Sequence, residues 1–71
     1  MKDTRYYFYT LGTSGKYYFF NSFSSRSYGL KVLKDKLNNS RLERISVKIN
    51  YVDYPFGDPR KVEYMEIFRN E

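Results

Sequence analysis

The stretch RYYFYTLGTSGKYYFF, residues 5–20, decides the fold at the N-terminal end of this chain. Eight of its residues are Tyr or Phe, in two runs separated by a segment with two glycines. Aromatic residues favour the pleated, half-buried surface of a strand, and glycine takes turn conformations freely. The stretch therefore predicts a β-hairpin with strands over residues 5–11 and 16–21.

The residues after this hairpin predict one helix and two further strands. Leucines at 30, 33 and 37 follow the spacing of an amphipathic helix that ends near residue 38, and Ser24, Ser25 or Ser27 can cap its start. Residues 44–52 alternate apolar and polar side chains, which is typical of a strand with one buried face. Residues 61–69 are apolar on both sides, which favours a central position in a sheet. The order ββαββ predicts an α+β fold, a four-stranded antiparallel sheet with one helix packed on one face.

Length and composition bound the class of protein. A chain of 71 residues predicts a single domain over residues 1–71. It contains neither Cys nor His, so we expect no disulfide, no metal site and no cofactor. No apolar run approaches the ~20 residues that cross a bilayer, and the N-terminus lacks signal-peptide features. These features favour a cytoplasmic protein without a membrane partner.

The positive charge is concentrated in the middle of the chain. The net charge is +5, and residues 26–48 carry seven basic side chains against two acidic ones. Residues 49–71 carry five acidic side chains against three basic ones. A positive field of this kind attracts nucleic acid or an acidic protein surface.

The hairpin holds more rings than one helix can cover. About half of them should therefore lie on the uncovered face of the sheet, where Tyr is tolerated because its hydroxyl stays hydrated. Cross-strand pairing alone would explain them without any function. As recognition residues they predict a contact surface for a macromolecule, most simply a protein. The predicted partner-binding residues are Tyr7, Tyr9, Tyr17, Tyr18, Arg26, Tyr28, Tyr54 and Phe56.

A nucleic-acid-binding module is the alternative. Tyrosines can stack on the bases of single-stranded DNA or RNA while basic side chains contact phosphates. The same basic side chains could simply keep the surface soluble. The signature motif of RRM domains is absent, so that RNA-binding family is not indicated. The residues predicted for this alternative are Arg5, Lys16, Lys31, Lys34, Arg41, Arg44 and Lys48.

The absence of His and Cys argues against an enzyme, since nucleophile–base pairs usually need one of them. A small ribonuclease built from Lys, Arg, Tyr and Glu is a minor alternative. Lys, Asn, Tyr and Phe are abundant and Ala is absent, a bias typical of AT-rich phage and mobile-element genes. This bias favours an inhibitor of a host nucleic-acid-processing or defence protein, acting in the bacterial cytoplasm. Self-association as a homodimer is a further explanation of the rings.

Overall fold

A computed structural model describes residues 3–54 and 57–69 of the chain. In these ranges the predicted α+β fold, with its ββαββ order, is confirmed. The elements are β1 (Asp3–Leu11), β2 (Tyr17–Phe23), α1 (Arg26–Asn38), β3 (Arg44–Tyr54) and β4 (Pro59–Phe68).

The four strands form one antiparallel sheet in the order β2-β1-β3-β4. The two central strands are therefore β1 and β3. The prediction of a central position for residues 61–69 is wrong, because β4 lies at an edge. Its two apolar sides have different neighbours: Met65 packs against the core below the helix, whereas Tyr64 is exposed on the other face.

Both hairpins differ in detail from the predicted boundaries. The first hairpin has strands over Asp3–Leu11 and Tyr17–Phe23, where residues 5–11 and 16–21 were predicted. In its turn the Gly12 N–H donates to the Lys16 carbonyl at 2.8 Å, and Gly15 adopts a φ of 85°, which favours glycine. The second hairpin consists of β3 and β4. There β3 ends two residues later and β4 begins two residues earlier than predicted, so that Pro59 begins β4. Asp53 holds this extension, since Thr4 and Arg60 both donate to its carboxylate at 2.9 Å.

The helix is fixed at its start by a cap and by a close approach to the sheet. Ser25 is the cap, and its hydroxyl accepts a hydrogen bond from the Tyr28 N–H. Gly29 is buried, and a Cβ there would lie 2.5 Å from the ring of Phe8. The absence of a side chain at this position allows the helix to lie directly on β1.

The core lies between α1 and one face of the sheet, which we call the covered face. Its buried residues come from the helix and the two central strands, and they are Phe8, Leu33, Leu37, Val47, Ile49 and Tyr51. No described element packs on the other face, which we call the open face.

Candidate partner-binding face

The strand register determines which side chains share the open face. Tyr9 pairs with Lys48, and Lys48 pairs in turn with Tyr64, so these three neighbours point the same way across three strands. Phe19 of β2 is opposite Tyr9 and joins them. The larger and charged side chains of the open face are Asp3, Arg5, Tyr7, Tyr9, Leu11, Tyr17, Phe19, Arg44, Lys48, Val62, Tyr64, Glu66 and Phe68.

Five rings form two contacting groups on this face, and Lys48 bridges the groups by lying over Tyr9 and Tyr17. Phe19 contacts Tyr9 and Tyr7 at centroid distances of 5.6 and 6.2 Å, and Tyr17 meets Tyr64 at 5.8 Å. Tyr17 and Tyr64 belong to opposite edge strands, so the cluster spans the width of the sheet. We call Tyr7, Tyr9, Tyr17, Phe19 and Tyr64 the ring cluster.

The outer members of the ring cluster remain accessible. Phe19 is 56% exposed and Tyr64 is 65% exposed. Leu11, Val62 and Phe68 add further exposed apolar surface on the same face. Large exposed apolar areas on a small protein are typical of interaction sites.

Lys48 lies within the ring cluster and places a positive charge among the rings. Its ammonium nitrogen is 4.8 Å from the ring centroid of Tyr9 and 5.6 Å from that of Tyr17, a cation–π geometry. The ion pairs of the described residues involve other groups, and none of them includes Lys48. The open face thus presents a lysine among aromatic rings without a carboxylate partner in the described part of the chain.

The predicted partner-binding residues fall into two groups. Tyr7, Tyr9 and Tyr17 share the open face, as just described. Tyr18 lies on the other side, where its hydroxyl is 2.8 Å from that of Ser14.

Tyr28 also lies away from the open face, on the helix. Its ring packs on that of Phe23 at 5.5 Å. The side chain of Tyr54 and the whole of Phe56 lie outside the described residues. The structure therefore gathers the predicted hairpin rings only in part.

Arg26 is engaged within the protein. Its guanidinium donates two hydrogen bonds to the carboxylate of Glu63, at 3.0 and 2.8 Å, and the hydroxyl of Tyr51 donates to the same carboxylate at 2.7 Å. These bonds, from Arg26 first and Tyr51 second, lower the pKa of Glu63 to about 2. Arg26 thus ties the start of the helix to β4, a structural contact on the covered side.

The basic residues predicted for nucleic-acid binding are also dispersed. Arg5, Arg44 and Lys48 lie on the open face, and Arg44 forms an ion pair with Glu66 at 3.6 Å. The remaining residues of that prediction lie elsewhere: Lys16 in the first turn, Lys31 and Lys34 on the helix, and Arg41 in the connection after it.

Sequence reasoning missed Phe19 and Tyr64 as site residues. Both follow the period-two alternation of their strands, because Phe19 shares a strand side with Tyr17, and Tyr64 with Phe68. Alternation within a strand could have found them. Their meeting across the sheet depends on the strand order.

Comparison of the chain with models of protein families, with curated proteins and with solved structures finds no match. Within residues 3–54 and 57–69, no helix has the length and apolarity needed to cross a bilayer. In the same ranges, no group of three or more Asp, Glu, His or Cys side chains is arranged to hold a metal ion.

Proposed function

We propose that the protein is a non-catalytic binding protein that docks on a protein partner through its open face. The observation that carries this proposal is the ring cluster, which spans the sheet and leaves Phe19 and Tyr64 more than half exposed. Tyrosine supplies a large, rigid contact area at low entropic cost, and aromatic residues are enriched in recognition surfaces.

The two edges of the sheet favour docking on the face over strand addition. The β4 edge begins with Pro59 and is charged along its length, which discourages pairing with another strand. The β2 edge contains a bulge opposite Phe8 and Tyr9. In addition, the side chain of Asn21 accepts the Ser22 N–H at 2.8 Å, so this backbone donor is already engaged.

The non-catalytic part of the proposal is supported by the state of the most tightly bonded polar cluster among the described residues. The carboxylate of Glu63 accepts three hydrogen bonds from Arg26 and Tyr51. A carboxylate with a pKa near 2 is a poor general base at neutral pH, because efficient proton transfer needs a pKa near the working pH. The hydrogen-bonded group of Arg26, Tyr51 and Glu63, which we call the clasp, therefore suits a structural role.

We infer the class of the partner from the amino-acid composition of the chain. The AT-rich bias favours a phage or mobile-element gene, and a host nucleic-acid-processing or defence protein is the partner that such a gene product would inhibit. Docking of the open face would then block a site on that protein by steric occlusion. Phage origin and inhibition stay predictions.

Paired variants on the two sides of the molecule test the proposal. Phe19→Ser and Tyr64→Ser should abolish co-purification of a bacterial protein, whereas Lys31→Ser and Lys34→Ser should retain it. Circular dichroism should show the same folded spectrum for all four variants. Loss of the complex in the helix variants, with retention in the ring variants, would place the binding site on the other side.

Binding of single-stranded nucleic acid is the second candidate, and one observation favours it: Arg5 and Lys48 share a face with five rings. Fluorescent oligothymidylate and oligouridylate at low and physiological salt test it. Tight binding that falls steeply with salt and is lost in Lys48→Met would support stacking and phosphate contacts on the open face. An absence of binding at low salt would exclude this candidate.

A further inference from the structure

We propose that the open face selects an acidic protein segment, one of whose carboxylates pairs with the ammonium group of Lys48 inside the ring cluster. This inference rests on the proposed function and adds the chemistry of the partner.

The ammonium group of Lys48 keeps unmet bonding capacity among the described residues. A lysine ammonium has three donors, and here the contacts seen are with the faces of Tyr9 and Tyr17, at 4.8 and 5.6 Å. Ring faces attract the charge but leave N–H donors free for an oxygen acceptor. Among the described residues, the ion pairs of Glu63, Glu66 and Asp53 are with arginines.

The charged side chains of the open face leave a small positive excess. Arg44 is paired with Glu66 at 3.6 Å, which leaves Lys48 and Arg5 as the positive groups against Asp3. The protein as a whole has a net charge of +5. Both the local and the overall charge attract an acidic partner and speed its encounter.

The rings around Lys48 make a carboxylate on the partner required rather than merely tolerated. The ammonium group of Lys48 lies over Tyr9 and Tyr17, and Tyr64 is the neighbour of Lys48 on the next strand, so a partner that covers these rings also removes water from the ammonium group. A partner with a carboxylate at this point forms an ion pair that is strengthened by the lower dielectric. A neutral partner would leave a desolvated, unpaired charge, which is strongly unfavourable.

The distribution of basic side chains favours a protein segment over nucleic acid. A phosphodiester chain that crosses the open face would meet Lys48, Arg5 and an Arg44 already paired with Glu66, whereas Lys31 and Lys34 lie on the helix behind the sheet. Nucleic-acid affinity at physiological salt comes from many phosphate contacts. A single carboxylate between apolar side chains matches a single ammonium between rings.

Selection from a random-peptide phage library tests this inference. The wild-type protein, Lys48→Met and Lys34→Met serve as baits, because Met keeps most of the apolar stem in each variant. We expect wild type and Lys34→Met to enrich peptides with Asp or Glu next to aromatic or aliphatic residues, and Lys48→Met to lose them. A synthetic enriched peptide should bind at least about tenfold more weakly when its acidic residue is replaced by the corresponding amide.

The other outcomes separate this inference from the proposed function. Enriched peptides that lack carboxylates but are lost in Phe19→Ser and Tyr64→Ser would overturn the acidic specificity and keep the open face as a protein-binding surface. Peptides that do not depend on the open face at all would overturn both. Tight binding of a fluorescent oligothymidylate that Lys48→Met abolishes would overturn the inference in favour of nucleic acid.

Discussion

The two faces of the sheet use similar residues for different ends. On the covered face, Phe8 is fully buried under the helix and packs edge-on against Phe23 at 5.6 Å. On the open face, Phe19 packs edge-on against Tyr9 at the same distance, yet it remains 56% exposed. Ring–ring contacts are therefore common to both faces. The faces differ because the helix buries the rings of one face and leaves those of the other exposed to solvent.

The largest expected effect is the difference between the two phenylalanines. Phe8→Ala removes a fully buried ring and should lower the free energy of unfolding by about 3–5 kcal/mol, enough to unfold much of a small domain. Phe19→Ala removes a half-exposed ring and should lower it by about 1 kcal/mol or less. Urea titrations followed by circular dichroism measure both values. Equal losses would mean that the open face is part of a core.

The next largest expected effect on stability comes from the close approach of the helix to the covered face at Gly29. In Gly29→Ala the new Cβ would lie 2.5 Å from the Phe8 ring and 2.9 Å from that of Phe23, and both rings are confined by their neighbours. We expect a loss of about 1–3 kcal/mol, because this overpacking outweighs the better helix propensity of Ala.

Gly57→Ala is the matched control for this substitution. A Cβ at Gly57 would meet no atom of the described, non-adjacent residues within 4 Å. The unfolding midpoint of Gly57→Ala in urea should stay close to that of the wild type. A stabilised Gly29→Ala variant would show that the helix can move away from β1.

A smaller effect is expected from the clasp between helix and β4. Glu63 has a folded-state pKa of about 2, below its ordinary value of 4.5. Because that pKa is depressed, the stabilisation is present above the ordinary carboxyl range and is lost as pH falls from about 5 towards 2. The side chains of Arg26 and Glu63 are 36% and 26% exposed, and solvent screening reduces the contribution to about 1–2 kcal/mol.

Glu63→Gln checks this contribution. The variant should be less stable than the wild type at neutral pH, and the difference should shrink as the wild-type carboxylate becomes protonated. Thermal unfolding at several pH values provides the comparison. A difference that stays constant down to pH values near 2 would contradict the assigned role of the carboxylate.

Much of the fold could be predicted from local patterns. The aromatic runs, the leucine spacing of the helix and the alternation in β3 each specify an element without reference to the others. The strand order could not be predicted, because it depends on pairing between distant segments. The sequence of β4 therefore suggested a central strand, whereas its second apolar side forms part of the open face.

The candidate site could be predicted only in part, for two physical reasons. Tyr64 meets Tyr17 because of the strand order, which brings side chains of distant segments together and is not contained in local patterns. Arg26 looked like a recognition residue because its partner Glu63 is 37 positions away in the sequence. Tyr7, Tyr9 and Tyr17 share the open face, whereas Tyr18, next to Tyr17 in β2, points to the other side.

Site-specific photo-crosslinking tests the central claim, that the open face is the binding face, most directly. A photoreactive benzoylphenylalanine would replace Tyr64 on the open face in one variant and Lys31 on the helix in the other, each expressed in bacteria and irradiated. We expect adducts with another protein from position 64 and few or none from position 31. Adducts from position 31 alone, or from position 64 only with a second copy of this chain, would contradict the claim.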